Sequence, residues 1–209
     1  MSRFKDEVLQ EALELVKLYP EARSATIPLC HLAQSVDGYL APDAIEHIAE
    51  LTSTTPAEVH GTASFYDMIQ LHPVGRYVVG VCTNIACMLQ GGYELLEAVE
   101  ETMGASVGET SEDSLFTVEE VECIALCDRA PCLHVNYRYF GPLDEEGVKR
   151  LKSDLIEGRL EDEVPSHGVI SRIKRSAPEL IPLEEIDELR LVEDEQRSSR
   201  MAQKGGGDA

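Results

Sequence analysis

Apolar residues recur at helical spacing through the first third of the chain. Val8, Ala12, Leu15, Val16 and Tyr19 share one face, and Pro20 stops the run. A second stretch near Ser24–Val36 carries Ile27, Leu29, Leu32 and Ala33 and breaks at Asp37-Gly38. A third begins at Pro42, with Ile45, Ile48, Ala49 and Leu51 on its apolar side. The fourth has the clearest start: Thr55 as N-cap, Pro56 at the first helical position and Glu58 completing a capping box. Val59, Ala63, Tyr66 and Ile69 form its stripe. Four short amphipathic helices with brief connections predict a helical bundle over residues 1–72.

After Pro73-Val74-Gly75 the pattern changes. Tyr77–Val81 is a β-branched run that predicts a buried strand leading directly into Cys82. Residues from Gly91 to Met103 read as a helix with Leu95, Leu96, Val99 and Met103 inward. Phe116–Glu122 reads as a second strand, ending at Cys123. Leu133, Val135, Tyr137 and Tyr139 alternate through a third strand and a turn into a fourth, and Asp144–Glu157 reads as a last helix. The order β-α-β-β-β-α predicts a compact α/β sheet domain over residues 73–157, with cysteine loops at strand ends, where loops commonly carry chemistry. From 158 to 209 the apolar pattern weakens while Pro, Ser, Gly and mixed charge increase, which predicts an acidic, largely disordered extension. Within it, Ile181–Leu189 has the spacing of one or two amphipathic turns, read as solvated tail with partner docking as the rival.

Charge and composition narrow the function classes. The net charge is −21, and only 8 basic and 12 acidic residues lie from Gly158 onward, so most of it belongs to the folded part. So acidic a body is expected to repel nucleic acid and anionic lipid. No apolar run approaches the roughly 20 residues needed to cross a bilayer. The charged N-terminus Met1–Glu7 is unlike a signal core. The expectation is a protein of the reducing cytoplasm, reaching a membrane only through a partner.

Six cysteines in that compartment point to metal or redox chemistry. Two pairs stand out, Cys82-x4-Cys87 and Cys123-x3-Cys127. Four thiolates suit either a tetrahedral zinc ion or the terminal positions of a [2Fe–2S] cluster. Spacers wider than the two residues of a zinc knuckle favour the cluster, but zinc and unligated thiols stay open on chemistry alone. Thr83–Ala86 and Ile124–Leu126 suggest an apolar lid whose backbone N–H groups tune the centre.

A family resemblance is carried by Gly61-Thr62-Ala63-Ser64-Phe65-Tyr66, His72-Pro73-Val74-Gly75-Arg76-Tyr77, Val81–Cys87 and Glu122–Pro131. Over about Glu11 to Leu155 the sequence resembles the thioredoxin-like [2Fe–2S] subunits of respiratory complex I, the NADH:quinone oxidoreductase. The resemblance implies a thioredoxin-like [2Fe–2S] ferredoxin domain after the bundle, with Cys82, Cys87, Cys123 and Cys127 as cluster ligands. It also implies an electron-transfer role beside a subunit carrying FMN and binding NADH, within a complex peripheral on the inner face of the cell membrane. Similar subunits occur in NAD-linked hydrogenases and formate dehydrogenases, which gives a second setting. The rival of another class is a zinc-stabilised interaction module. This chain has no Gly-rich dinucleotide fingerprint of its own, and Gly91-Gly92 reads as a turn.

Cys132 departs from the family pattern, which has an aliphatic residue there. Cys127-x4-Cys132 repeats the first spacing, so Cys132 is an alternative to Cys123. Against it, Cys123 follows a strand as Cys82 does, Pro131 favours leaving the loop, and Cys132 enters an alternating run where a small buried thiol is ordinary. Cys30 reads as a free thiol in the bundle core. The six histidines show no metalloprotease spacing, and His134 is expected to be an exposed strand residue. Carboxylate runs such as Glu97–Glu101 read as helix-surface solvation, not acid–base chemistry.

Overall fold

The computed structural model describes residues 4–164 and His167. Four α-helices come first: α1 (Asp6–Lys17), α2 (Thr26–Asp37), α3 (Pro42–Thr52) and α4 (Pro56–Ala63). The start of α4 is fixed as its sequence dictates. The Thr55 hydroxyl accepts from the Glu58 N–H at 3.3 Å, and the Glu58 carboxylate accepts from the Thr55 N–H at 2.9 Å, with Pro56 beginning the helix. These hydrogen bonds also hold the Glu58 carboxyl below its usual range. Leu29, Ile48, Val59 and the Cys30 thiol close the bundle core, and burial pushes that thiol up to about 12.

The remaining elements are β1 (Tyr77–Cys82), α5 (Ile85–Leu89), α6 (Gly92–Met103), β2 (Phe116–Val121), β3 (Leu133–Val135), β4 (Arg138–Phe140) and α7 (Glu145–Ile156). The sheet order is β2-β1-β3-β4, parallel between β1 and β2 and antiparallel elsewhere. Alternation sorts the two faces. Tyr77, Val79, Val81, Phe116, Val118, Leu133 and Val135 join Leu95, Val99, Val148 and Leu151 of α6 and α7 in a second core. Val78, Gly80, Cys82, Thr117, Glu119, His134 and Asn136 occupy the alternate positions.

That other face is tied to the chain between α4 and β1. The Tyr137 hydroxyl donates to the Asp67 carbonyl at 2.8 Å, and Asn136 bridges the Val78 N–H and the Arg76 carbonyl. Gln34 of α2 donates to the Met68 carbonyl and accepts from the Gln70 N–H. Beyond α7, residues 158–164 form turns, with Val164 buried in the second core and Arg138 donating to the Glu163 carbonyl. The first residues of the expected extension are thus packed on the body. The Ile181–Leu189 stretch lies outside the described residues.

His134 corrects an expectation: it is 4% exposed, and burial lowers its pKa to about 4. The cause is the register, which sets His134 opposite Gly80, where the missing side chain leaves room for the imidazole. A Cβ at Gly80 would lie 2.3 Å from the imidazole Nε2. Gly80→Ala is therefore expected to destabilise the fold by about 1–3 kcal/mol. Much of that loss should be recovered in the Gly80→Ala/His134→Ala double variant, measured by urea unfolding.

His31 of α2 is buried, its Nδ1 has no hydrogen-bond partner among the described residues, and desolvation lowers its pKa. Its neutral form is favoured in the folded state, whereas the unfolded chain takes up the proton near about pH 6.5. The sign follows: stability is lost as pH falls below that value. Between about pH 7 and about pH 5, His31→Leu should lose less stability than the parent chain. Denaturant midpoints at the two pH values test this.

Candidate metal centre

Strand pairing explains why the cysteines converge. The parallel register puts Cys82 opposite Val121, so the chain reaches Cys123 two residues past the end of that ladder. The ladder continues with Thr83 N–H to the Val121 carbonyl at 3.3 Å. Two side-chain bonds then clamp the loops together: Thr83 Oγ1 to Glu120 Oε1 at 2.7 Å and Asn84 Nδ2 to Glu122 Oε2 at 2.6 Å. On the opposite flank of β1, the antiparallel register pairs Val81 with Leu133, and the Cys82 N–H donates to the Cys132 carbonyl at 3.1 Å. Cys132 thereby reaches the same sheet edge from the other side.

The sulfurs form two groups. Cys82, Cys87 and Cys132 are buried with all three sulfurs within 4.8 Å of one another, and Cys87 and Cys132 are 3.5 Å apart. Cys123 and Cys127 form an exposed pair at 3.8 Å. Ile124, Leu126 and Ala130 pack against the buried group. Of the four residues singled out as ligands, the structure places Cys82 with Cys87 and Cys123 with Cys127. It also adds Cys132 to the first pair, whereas the spacing offered it only as an alternative to Cys123.

The first loop holds a short helix where an apolar loop was expected. The Asn84 side chain accepts from the Ile85 N–H at 2.9 Å and caps α5, which carries Cys87. Five residues are too few to show a period, although Asn before an apolar run was a legible cap signal. Ile85, Met88 and Leu89 are exposed, so the lid covers the buried sulfurs from one side only. Gly91, with φ +92°, turns the chain into α6, as the Gly-Gly step suggested. A Cβ at Gly92 would stand 2.9 Å from the Cys87 carbonyl carbon and 3.0 Å from the Cys82 oxygen, so glycine allows α6 to begin against both.

Burial sets the thiol chemistry. Desolvation raises the Cys82 thiol, opposed by hydrogen bonds from the backbone of Asn84 and Ile124. Cys132 is pushed up to about 12 by burial first and by its contact with Cys87 second. Cys127 is raised chiefly by its hydrogen bond with Cys123 and the adjacent thiol charge. The Ala125 N–H reaches Cys123 Sγ at 3.4 Å from a left-handed residue, φ 62°. A positive centre would offset these penalties and hold the thiolates, and backbone donors aimed at sulfur suit an anionic thiolate site. The donor set therefore fits a soft metal or an iron–sulfur cluster.

Residues 12–155 match the family model of the thioredoxin-like [2Fe-2S] ferredoxins. The chain belongs to this family. Its cofactor is a [2Fe–2S] cluster, to which the thiols gathered at the sheet edge are suited. Among relatives, NADH-quinone oxidoreductase subunit 2 of Thermus thermophilus is 43% identical over 166 residues, 78% of this chain and 91% of that one. The E subunit of the NADH-quinone oxidoreductase of Mycobacterium tuberculosis is 39% identical over 145 residues, 69% of this chain and 58% of that one. The chain thus spans little more than half the length of the mycobacterial relative. A solved NAD+-reducing [NiFe]-hydrogenase aligns with a TM-score of 0.57 at 24% identity, covering 67% of this chain and 23% of that chain, and shares the fold. Among the described residues no helix is long and apolar enough to cross a membrane.

Proposed function

We propose that this chain is an electron-transfer subunit of an NADH:quinone oxidoreductase, respiratory complex I. In this reading Cys82, Cys87, Cys123 and Cys127 hold the [2Fe–2S] cluster, and a neighbouring subunit binds flavin and NADH. The observation that carries it is the meeting of both thiol pairs at one edge of the sheet in a chain 39% and 43% identical to subunits of that name. The complex would place the chain peripherally on the inner face of the cell membrane.

When bound, the cluster supplies a one-electron relay. The chain's own residues hold it, shield it and present it. The four thiolates supply the terminal ligands, two from each strand end. Ile124, Leu126 and Ala130 exclude water from the buried sulfurs, and the amides of Asn84 and Ile124 stabilise thiolate charge at Cys82. Around them stand Glu119, Glu120 and Glu122, lining a cleft of about 600 Å³ with Asp67, Tyr137 and Cys123. Carboxylates lining the cleft that Cys123 also lines oppose the arrival of an electron, so the potential is expected to be low.

Partner contact falls to the bundle of residues 1–72 in this reading, while residues 73–157 carry the cluster. Phe65 is 79% exposed beside half-exposed Tyr66 on the segment after α4, away from either core. Exposed aromatic residues of this kind anchor interfaces.

Anaerobically purified protein should contain about two irons and two acid-labile sulfides per chain, with a spin-half EPR signal on reduction. Cys123→Ala should lose the cluster, and Cys132→Ala should keep it. Full cluster content in Cys123→Ala together with its loss in Cys132→Ala would reverse the ligand assignment.

Phe65→Ala should weaken binding of the flavin-carrying subunit by about 10-fold or more while leaving cluster content and thermal midpoint unchanged. Equal affinity by titration calorimetry would remove the bundle from the interface.

A further inference from the structure

The third buried thiol is not used by the proposed ligand set. Cys132 Sγ lies 3.5 Å from Cys87 Sγ, and Cys82, Cys87 and Cys132 keep all three sulfurs within 4.8 Å. A single tetrahedral zinc ion with Zn–S bonds of about 2.3 Å requires sulfurs about 3.8 Å apart. A two-iron centre instead needs its four terminal sulfurs divided between two metals. The compact triad therefore has the dimensions of a mononuclear site, and the strands hold it that way. Cys82 and Cys132 are locked by the backbone bond across β1 and β3, and Cys87 is carried by α5 against Gly92.

We propose that the cluster-free chain has a second metal-binding mode, in which Cys82, Cys87 and Cys132 bind one d10 cation of the zinc type and a water molecule takes the fourth position. Binding converts the three thiols to thiolates, releases their protons to solvent and involves no change of oxidation state. The two modes share Cys82 and Cys87 and differ in the rest: Cys132 for the single ion, Cys123 and Cys127 for the cluster. Zinc therefore competes with cluster assembly, because it occupies two of the four cluster thiols. The buried apolar wall of Ile124, Leu126 and Ala130 favours retention by limiting water access. The proposal rests on the cluster assignment only for the claim of competition; the zinc site itself follows from the sulfur geometry.

The test uses the full-length chain, stripped of iron and kept reduced under anaerobic conditions. Zn²⁺ affinity is measured by competition with a chromophoric chelator, and Co²⁺ absorption reports thiolate coordination. Parent chain should bind one ion tightly. Cys132→Ala and Cys132→Ser should each lose on the order of 100-fold in affinity, while Cys123→Ala binds as the parent does. Circular dichroism and cluster loading without zinc verify that each Cys132 variant is folded. Reconstitution with iron and sulfide in the presence of Zn²⁺ should be inhibited in the parent and much less so in Cys132→Ala. Unchanged zinc affinity in both Cys132 variants, or an equal loss in Cys123→Ala, overturns the proposal. Failure of the cluster reading has a different signature, the absence of iron and sulfide after zinc-free reconstitution of the parent.

Discussion

Everything at the candidate centre depends on β1 being paired on both sides. Its parallel bond to β2 carries the Cys123 loop to the end where Cys82 emerges, and its antiparallel bond to β3 delivers Cys132 to the same end. Val79 and Val81, both fully buried, fix the strand against α6 and α7. A slip of one residue would turn Cys82 toward that apolar core and Val81 toward the cysteines. The register is thus what converts five scattered thiols into one constellation.

Burial and charge act on that constellation in opposite directions. Apolar packing disfavours thiolates, which keeps Cys82 and Cys132 protonated when no cation is present. The acidic cleft beside Cys123 further disfavours added negative charge. A metal centre resolves the first conflict by supplying positive charge, and the second sets the cost of reducing it. The same physics applies to the cluster and to the proposed zinc mode. Which forms is then a question of whether Cys132 alone, or Cys123 with Cys127, completes the set begun by Cys82 and Cys87.

The contacts that join bundle and sheet lie on the face away from α6 and α7. Gln34, Asn136 and Tyr137 satisfy backbone groups of the chain between α4 and β1, where regular structure is absent. They stabilise the connecting segment without crowding the cysteine edge. That leaves Ile85, Met88 and Leu89 of α5 exposed beside the buried sulfurs.

The sequence by itself determined the elements, the short α5 excepted, and the family. Helical periodicity located α1 to α4, the Thr55–Glu58 box marked a helix start, and β-branched runs located β1 and β2, because each signal is local. The paired spacings and the motifs around them identified the thioredoxin-like [2Fe–2S] family, since a ligand loop must carry its thiols at fixed separations. Tertiary structure decided what depends on partners distant in the chain. The fit of His134 over Gly80 and the bond from Cys82 N–H to the Cys132 carbonyl both follow from antiparallel register, which no local pattern encodes. Spacing made Cys132 an alternative to Cys123, but its 3.5 Å neighbour is Cys87, 45 positions away, a meeting that only the fold reveals.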